Sequence, residues 1–414
     1  MSFPRYERYK ESGVEWLGEV PEGWEVVQLK RLIAIQNGAD YKLIEQEEGF
    51  PVIGSGGIFA YASEFIYDGE SVLLGRKGTI DKPLYVSEKF WTVDTMYWTK
   101  IRPEAFGKFV YYLALTIPFN YYSTNTAVPS MTKGALDSHA VVRPPLPEQH
   151  TIAAFLDCET GKIDALVAEQ ERLIALLKEK RQATISHAVT KGLKPDAPMK
   201  DSGIEWLGEV PEGWECGPLK RFAQVIDCKH FTVTFLDDGW PIVSIRELRE
   251  DIIDLSNAKM TSKKEWDFLR EGRIPTIGDM IFCRNASVGA LGYVETDEPF
   301  CMGQDVCLIR PDFTSKFMHY LLTSRFVKEQ IEALLVGATI RRANVEEIRN
   351  LVTAIPPPEE QSAIVAFLDS EIAKIDTLMG EARQAIGLLK ERRSALISAA
   401  VTGKIDVRGW MWEK

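Results

Sequence analysis

No run of 18 or more apolar residues occurs in this sequence, so a membrane-spanning helix of ordinary length is not expected. The first residues, MSFPRYERYKESG, have neither an apolar core nor a small-residue cleavage site, so no secretory signal is read there. The six cysteines (Cys158, Cys216, Cys228, Cys283, Cys301, Cys307) form no C-x-x-C pair, and the five histidines have no ligand spacing. Structural zinc and a disulfide framework are both disfavoured, and a reducing cytoplasm fits. Catalytic motifs are missing too. There is no G-x-x-x-x-G-K-[ST] phosphate loop and no N-P-P-[YF] or D-P-P-[YF] tetrapeptide; Pro144-Pro145 precede Leu146. The cluster Gly54-Ser55-Gly56-Gly57 reads as a turn or a close backbone approach. No Ser–His–Asp or Cys–His arrangement presents itself, and no catalytic residue, cofactor or metal is expected.

Excess positive charge is absent as well. The net charge is −11, which at first sight argues against binding a polyanion. The charge is unevenly distributed, however. Residues 26–145 hold 12 basic and 12 acidic side chains, and residues 216–356 hold 18 and 20. Much of the acidity sits in the short stretches 1–25 and 194–215, with net charges of −3 and −4. The two large segments are near neutral and permit local basic loops.

What the sequence does have is a tandem repeat. ESGVEWLGEVPEGWE (11–25) recurs as DSGIEWLGEVPEGWE (201–215), identical at 13 of 15 positions. Residues 148–190 recur as 360–402, identical at 25 of 43, with EQ-x-x-I-x-AFLD-x-E-x-x-KID-x-L in both copies. Each half is therefore a short lead segment, a variable region and a long block.

The long block reads as a helix of about 43 residues, near 64 Å in length. Pro147 and Pro358 fit a first helical turn, Glu148, Glu359 and Glu360 favour an N-terminus, and Gly192 stands where a C-terminal cap belongs. Ile152, Ile163, Ile174 and Ile185 lie 11 apart, as do Ile364, Ile375, Ile386 and Ile397. Leu166, Leu177, Leu378 and Leu389 repeat the spacing one step round the helix. Eleven residues are close to three turns, so each block carries a nearly straight apolar stripe, and the natural partner of one stripe is the other copy.

The intervening regions mix short β-rich runs (71–75, 84–93, 279–283, 292–295) with helical stretches (108–116, 316–335). Ile101-Arg102-Pro103 is echoed by Ile309-Arg310-Pro311, and GRKGTI (75–80) stands in the place of CRNASVG (283–289). The two regions are expected to share one α/β fold with different surfaces.

With its SG-[VI]-EWLGEVPEGWE lead segments, its FLD…KID…LLKE-[KR]-R helices and their twice-repeated order, the chain resembles the specificity subunits of type I restriction–modification systems. The resemblance covers nearly the whole chain and is weakest in the variable regions. It implies an α+β protein: two mixed α/β target-recognition domains in pseudo-two-fold arrangement, separated by a pair of long antiparallel coiled-coil helices. The expected division is a lead segment (1–25), recognition domain 1 (26–145), a central helix (146–193), a linker with the second lead segment (194–215), recognition domain 2 (216–356), a C-terminal helix (357–403) and a tail (404–414). The implied function is non-catalytic recognition of a bipartite site in double-stranded DNA. The helices would set the gap between half-sites and dock methyltransferase subunits, two in the family. Motor-nuclease subunits join for cleavage, and no membrane is involved. The rivals are a recognition module of a fused restriction–methylation protein and a protein-interaction scaffold without DNA contact.

Candidate DNA contacts follow from residue type and position. Arg76, Lys77, Gly78 and Thr79, and Arg284, Asn285 and Ser287, follow equivalent β runs and combine cations, polar donors and small residues that let backbone amides near a phosphate. Arg341 and Arg342 form a second basic spot, whose counterpart is the 128–133 stretch with Lys133; packing beside a helix start is the competing reading. The Trp16, Trp24, Trp206 and Trp214 positions recur almost unchanged, which suits clamps better than base readers. The tail with Trp410 and Trp412 fits packing on a partner or on a lead segment.

Overall fold

The computed structural model describes residues 3–122, 129–204, 207–249, 251–335 and 342–410. The chain divides into two compact units, Met1–Glu171 with Arg383–Lys414, and Arg172–Ala382.

In the first unit, strands β1 (Ile33–Asn37), β2 (Phe50–Gly54), β3 (Ser71–Gly75), β4 (Trp91–Thr92) and β5 (Met96–Ile101) make the framework. One antiparallel sheet runs β1, β5, β3 and Leu84–Val86; a second contains β2 parallel to β4. The run SVLLG is buried at every position, as expected of a central strand packed on both faces. The expected strand 84–93 is split in two, Leu84–Val86 and Trp91–Thr92.

The first long helix, α1 (Leu146–Lys191), carries Pro147 and Glu148 in its first turn and stops at Gly192, whose φ of +76° suits a left-handed cap. The second unit repeats the framework with β6 (Ala223–Asp227), β7 (Trp240–Val243), β8 (Met280–Cys283), β9 (Cys301–Met302) and β10 (Val306–Pro311). Here β6, β10 and β8 lead a six-stranded sheet, and β7 again runs parallel to a short partner, β9. The helical stretch 316–335 is two helices, Ser315–Thr323 and Arg325–Leu335, parted at Ser324. The second long helix, α2 (Pro358–Val401), precedes Gly403, with φ of +72°.

Within each unit the start of one long helix packs with the end of the other, an antiparallel arrangement. In the first unit Ile152, Phe155 and Leu156 of α1 share a core with Ile397, Ala400 and Val401 of α2, and Arg393 Nε donates to Asp164 Oδ1 at 2.8 Å. In the second, Ile185, Ala188 and Val189 share a core with Ile364, Leu368 and Ile372, and Leu177 packs with Ile375 and Met379. Full burial of each isoleucine, leucine, valine, methionine or phenylalanine here contributes about 1.5–3 kcal/mol.

The isoleucine stripe lies inside: Ile152, Ile163, Ile185, Ile364, Ile375 and Ile397 are buried, while Ile174 and Ile386 are half-buried. The leucine stripe does not follow it throughout. Leu177 is buried and Leu389 half-buried, but Leu166 is 52% exposed and Leu378 48%. Three residues on from an isoleucine is roughly 60° round the helix, so these leucines flank the seam rather than fill it. The equivalent Phe155 and Phe367 also differ. Phe3 and Trp410 pack edge-on against Phe155, which is fully buried, whereas Phe367 is 40% exposed. Among the described residues no helix is long and apolar enough to cross a membrane.

Candidate nucleic-acid interface

The registers bring several strand ends to one edge of each unit. In the first, Met96 lies opposite Gly75 and Tyr97 opposite Asn37, so β1 and β3 end where β5 begins. Strand β2 ends there too, since Ile53 pairs with Thr92 just before that start. The segments after β1, β2, β3 and β4 therefore form one cluster of loops. Gly75 is required by the turn that follows, because a Cβ on it would lie 2.3 Å from the Thr79 carbonyl oxygen.

Two candidate stretches meet at this edge. The Arg76 and Lys77 amides both donate to Thr95 O (2.9 and 3.1 Å), Gly78 N donates to Pro129 O, and Met131 N donates to Arg76 O. Lys77 and Ser130 form an isolated β-bridge. The 76–79 loop is thus laced to the segment leading into the short helix Lys133–Asp137, which Thr132 caps. Lys77, Gly78, Thr79 and Lys133 are exposed. Arg76 is half-buried; its Nη1 donates to Asp94 O, and its guanidinium lies 5.8 Å from the centre of the Tyr97 ring. Val128 lies outside the described residues.

The second unit builds the same edge. Asp227 is opposite Cys307, Cys283 opposite Val306 and Val243 beside Met302. Arg284 N donates to Asp305 O, Ala343 N donates to Arg284 O, and Asn285 bridges to Arg342. Asn344 then caps Val345–Arg349 as Thr132 caps its counterpart. Gly78 and Ala286 hold the same place in the loop, both left-handed, with φ of +82° and +61°. Asn285, whose Nδ2 donates to Asp305 Oδ1, is half-buried; Ser287 and Arg342 are exposed. Arg341 lies outside the described residues.

Arg284 departs from the sequence expectation of a phosphate contact. Its side chain is 3% exposed, and Nη2 lies 3.0 Å from Asp227 Oδ1 and within reach of Cys228 Sγ and Gln304 O. Turned into the interior, it holds the ends of β6, β8 and β10 together. Asp227, Cys228 and His230 also come within ligand distance of one another, but the Arg284 guanidinium already supplies the positive charge there. Burial pushes the Cys228 thiol up, away from the thiolate a metal would require.

A cleft that sequence reasoning missed opens at the same edge. It measures about 340 Å³ and is bordered by Phe231, Phe235, Ile242, Arg246, Lys259 and Gln304. Its residues come from four separate segments, so no local pattern announces it.

The tryptophans of the lead segments divide. Trp24 and Trp214 are buried, each against the end of a long helix. A Cβ on Gly403 would meet Trp24 at 3.0 Å, and one on Gly192 would meet Trp214 at 3.4 Å. Trp214 Nε1 also donates to Glu360 Oε2. Trp16 is exposed and stacks on His139; Trp206 and Trp412 lie outside the described residues.

The comparisons agree with this doubled construction. The family described as the type I restriction modification DNA specificity domain matches twice, over residues 21–173 and 211–386. The chain is similar to the type I restriction enzyme EcoBI specificity subunit of Escherichia coli, with 22% identity covering 96% of this chain and 90% of that one. It is also similar to the MjaVIII specificity subunit of Methanocaldococcus jannaschii, with 25% identity over 99% and 98%. A chain solved in work on complex assembly and conformational transition of the type I R-M system shares the fold, with a TM-score of 0.70, 16% identity, and coverage of 92% of this chain and 98% of that one. The chain belongs to the type I restriction–modification DNA specificity family, carries its module twice, and is a DNA-recognition subunit rather than a catalytic one.

Proposed function

We propose that each loop edge binds one half of an asymmetric, two-part DNA site, so that the chain directs adenine methylation and restriction by subunits assembled with it. The observation that carries this reading is that the same edge is built twice, with equivalent backbone bonding and different side chains. Equivalent backbone suits contacts to phosphates, which are the same everywhere; differing side chains suit bases, which are not. Double-stranded DNA, methyltransferase subunits (two by analogy with the family) and motor-nuclease subunits are the partners, in the cytoplasm. The exposed leucines at equivalent places on the long helices, Leu166 with Leu378 and Leu176 with Leu388, supply apolar surface for docking methyltransferase subunits. The long helices set the gap: one extra turn near Ala175 lengthens a helix by about 6 Å, or one to two base pairs.

The test exchanges residues 26–145 for the corresponding region of another family member. The methylated motif is then mapped in a host that supplies the methyltransferase subunits. One half of the motif should change while the other half stays. A hybrid that changes both halves, or neither, contradicts the assignment.

A further inference from the structure

We infer that Arg246, Lys259 and Gln304, at the rim of the cleft in the second unit, are specificity-determining residues that read bases of one half-site, with a guanine facing Arg246. The inference rests on the function proposed above and goes beyond it by naming the readers.

Three observations place them there. First, the cleft belongs to the DNA-facing edge: Gln304 and Asp305 line it, and Asp305 holds the 284–285 loop through its carbonyl and its carboxylate. Second, the three side chains have donors to spare. Arg246 is exposed, and the one carboxylate paired with it among the described residues, Glu247, sits 4.0 Å away. The other oxygen of Glu247 already accepts from the Ser244 amide and hydroxyl. Gln304 is exposed, and the bonds it makes among the described residues use its main-chain oxygen. The Lys259 ammonium lies 3.8 Å from the centre of the exposed Phe235 ring, which steadies it at the rim without neutralising it.

Third, this is where the two units differ. The parallel pairs β2–β4 and β7–β9 correspond, and each leads into the edge. After β2 comes a tight glycine turn, Gly54-Ser55-Gly56-Gly57, that returns as a hairpin. After β7 comes the single turn Ile245–Glu247, which lifts Arg246 outward. Arg76 and Arg284, by contrast, keep the same backbone setting. Groups that differ between homologous halves are the ones able to read different sequences.

The chemistry distinguishes bases from phosphates. Phe231, Val233, Phe235 and Ile242 give the cleft apolar walls, which suit the faces and methyl groups of bases and not a hydrated phosphate. Arginine is matched to the N7 and O6 acceptors of guanine by two parallel hydrogen bonds, and glutamine to adenine in the same way.

The experiment uses the full chain assembled with its methyltransferase subunits. Duplexes randomised in the motif are methylated by the wild type and by Arg246→Ala, Arg246→Lys and Gln304→Ala, and the methylated sequences are read out. Arg246→Ala should relax one guanine of one half-site by on the order of tenfold or more, with the other half-site unchanged. Arg246→Lys should recover binding strength but not full selectivity, since lysine keeps the charge and loses the fork. Gln304→Ala should relax a neighbouring position. An unchanged motif in Arg246→Ala and Gln304→Ala overturns the inference. So does a uniform loss over all sequences with a shallower salt dependence, which marks a phosphate contact. A wild-type complex that methylates without sequence preference sinks the underlying function instead. Melting curves of each variant separate these results from loss of fold.

Discussion

Arg284 and Asp227 form an ion pair 3.0 Å apart, in which the arginine is almost wholly enclosed and the aspartate partly open. Among the described residues the oxygen facing Arg284 makes no aligned hydrogen bond and the Arg284 Nε has no partner, so proximity rather than directed bonding holds the pair. Removing one member of a fully buried pair strands the other at a cost of roughly 3 kcal/mol or more; Asp227 keeps part of its access to water, so the cost here is smaller than that. Arg284→Ala should therefore lower the melting temperature of the chain measurably. The salt dependence of DNA binding should stay as it was, because this guanidinium does not reach the surface. A normal melting curve with a shallower salt dependence would reverse both halves of that statement.

Gly78 and Ala286 make a paired test of the loop itself. Both are left-handed, and a Cβ costs about 1–2 kcal/mol in that conformation. No described residue lies within 4 Å of the place where a Cβ on Gly78 would go, so the cost there is backbone strain. Gly78→Ala should destabilise by about 1 kcal/mol, and Ala286→Gly should be neutral or stabilise by up to about 1 kcal/mol. Denaturant unfolding of the two variants reads this directly, and equal signs would contradict it.

These two loops also mark what the sequence revealed and what it hid. The repeat and the helices were legible because identical residues recur in order and isoleucines recur every eleven positions, both visible along a line. The equivalence of 75–80 and 283–289 was legible from their place after matching β runs, although only Arg76 and Arg284 are identical between them. That Arg284 turns inward was not, because Asp227 lies on another strand and only register brings it near. The joining of 76–79 to 129–133 was hidden likewise, since each stretch alone looks like a polar turn. Leu166 and Leu378 follow the periodicity, yet periodicity cannot show how far round the helix the burying surface extends.

His319 provides a pH dependence. Its two ring nitrogens are buried without hydrogen-bond partners among the described residues, and Tyr293 and Tyr320 pack beside the ring. Burial pushes its pKa down to about 4; the Lys316 and Arg181 cations act in the same direction, against the Asp251 and Asp369 carboxylates. The folded state thus resists a proton that the unfolded chain accepts near pH 6.5. Stability is whole above that value and is lost progressively as pH falls from about 6.5 towards 4, by up to roughly 3 kcal/mol. His319→Gln should flatten the fall in melting temperature between pH 7 and pH 5. An unchanged fall would assign the acid sensitivity to other groups.

Arg76 and Lys77 carry the remaining test, and it separates phosphate contact from base reading. Lys77 is exposed, and no carboxylate pairs with it among the described residues. Arg76 keeps part of its guanidinium at the surface while Asp94 O and Tyr97 steady the rest. Each sits on a loop fixed at both ends by backbone bonds, so a phosphate gripped there would be gripped whatever the sequence. Neutralising one phosphate releases about one counterion from the duplex, and the slope of log affinity against log salt falls by about one for each phosphate no longer neutralised. Lys77→Ala should therefore weaken binding to cognate and random duplexes by the same factor, with the slope reduced by about one and the methylated motif intact. Arg76→Ala should do likewise, with some loss of stability from the Tyr97 and Asp94 contacts. Losses confined to cognate DNA would make these residues base readers, and an unchanged slope would make them solvated turns.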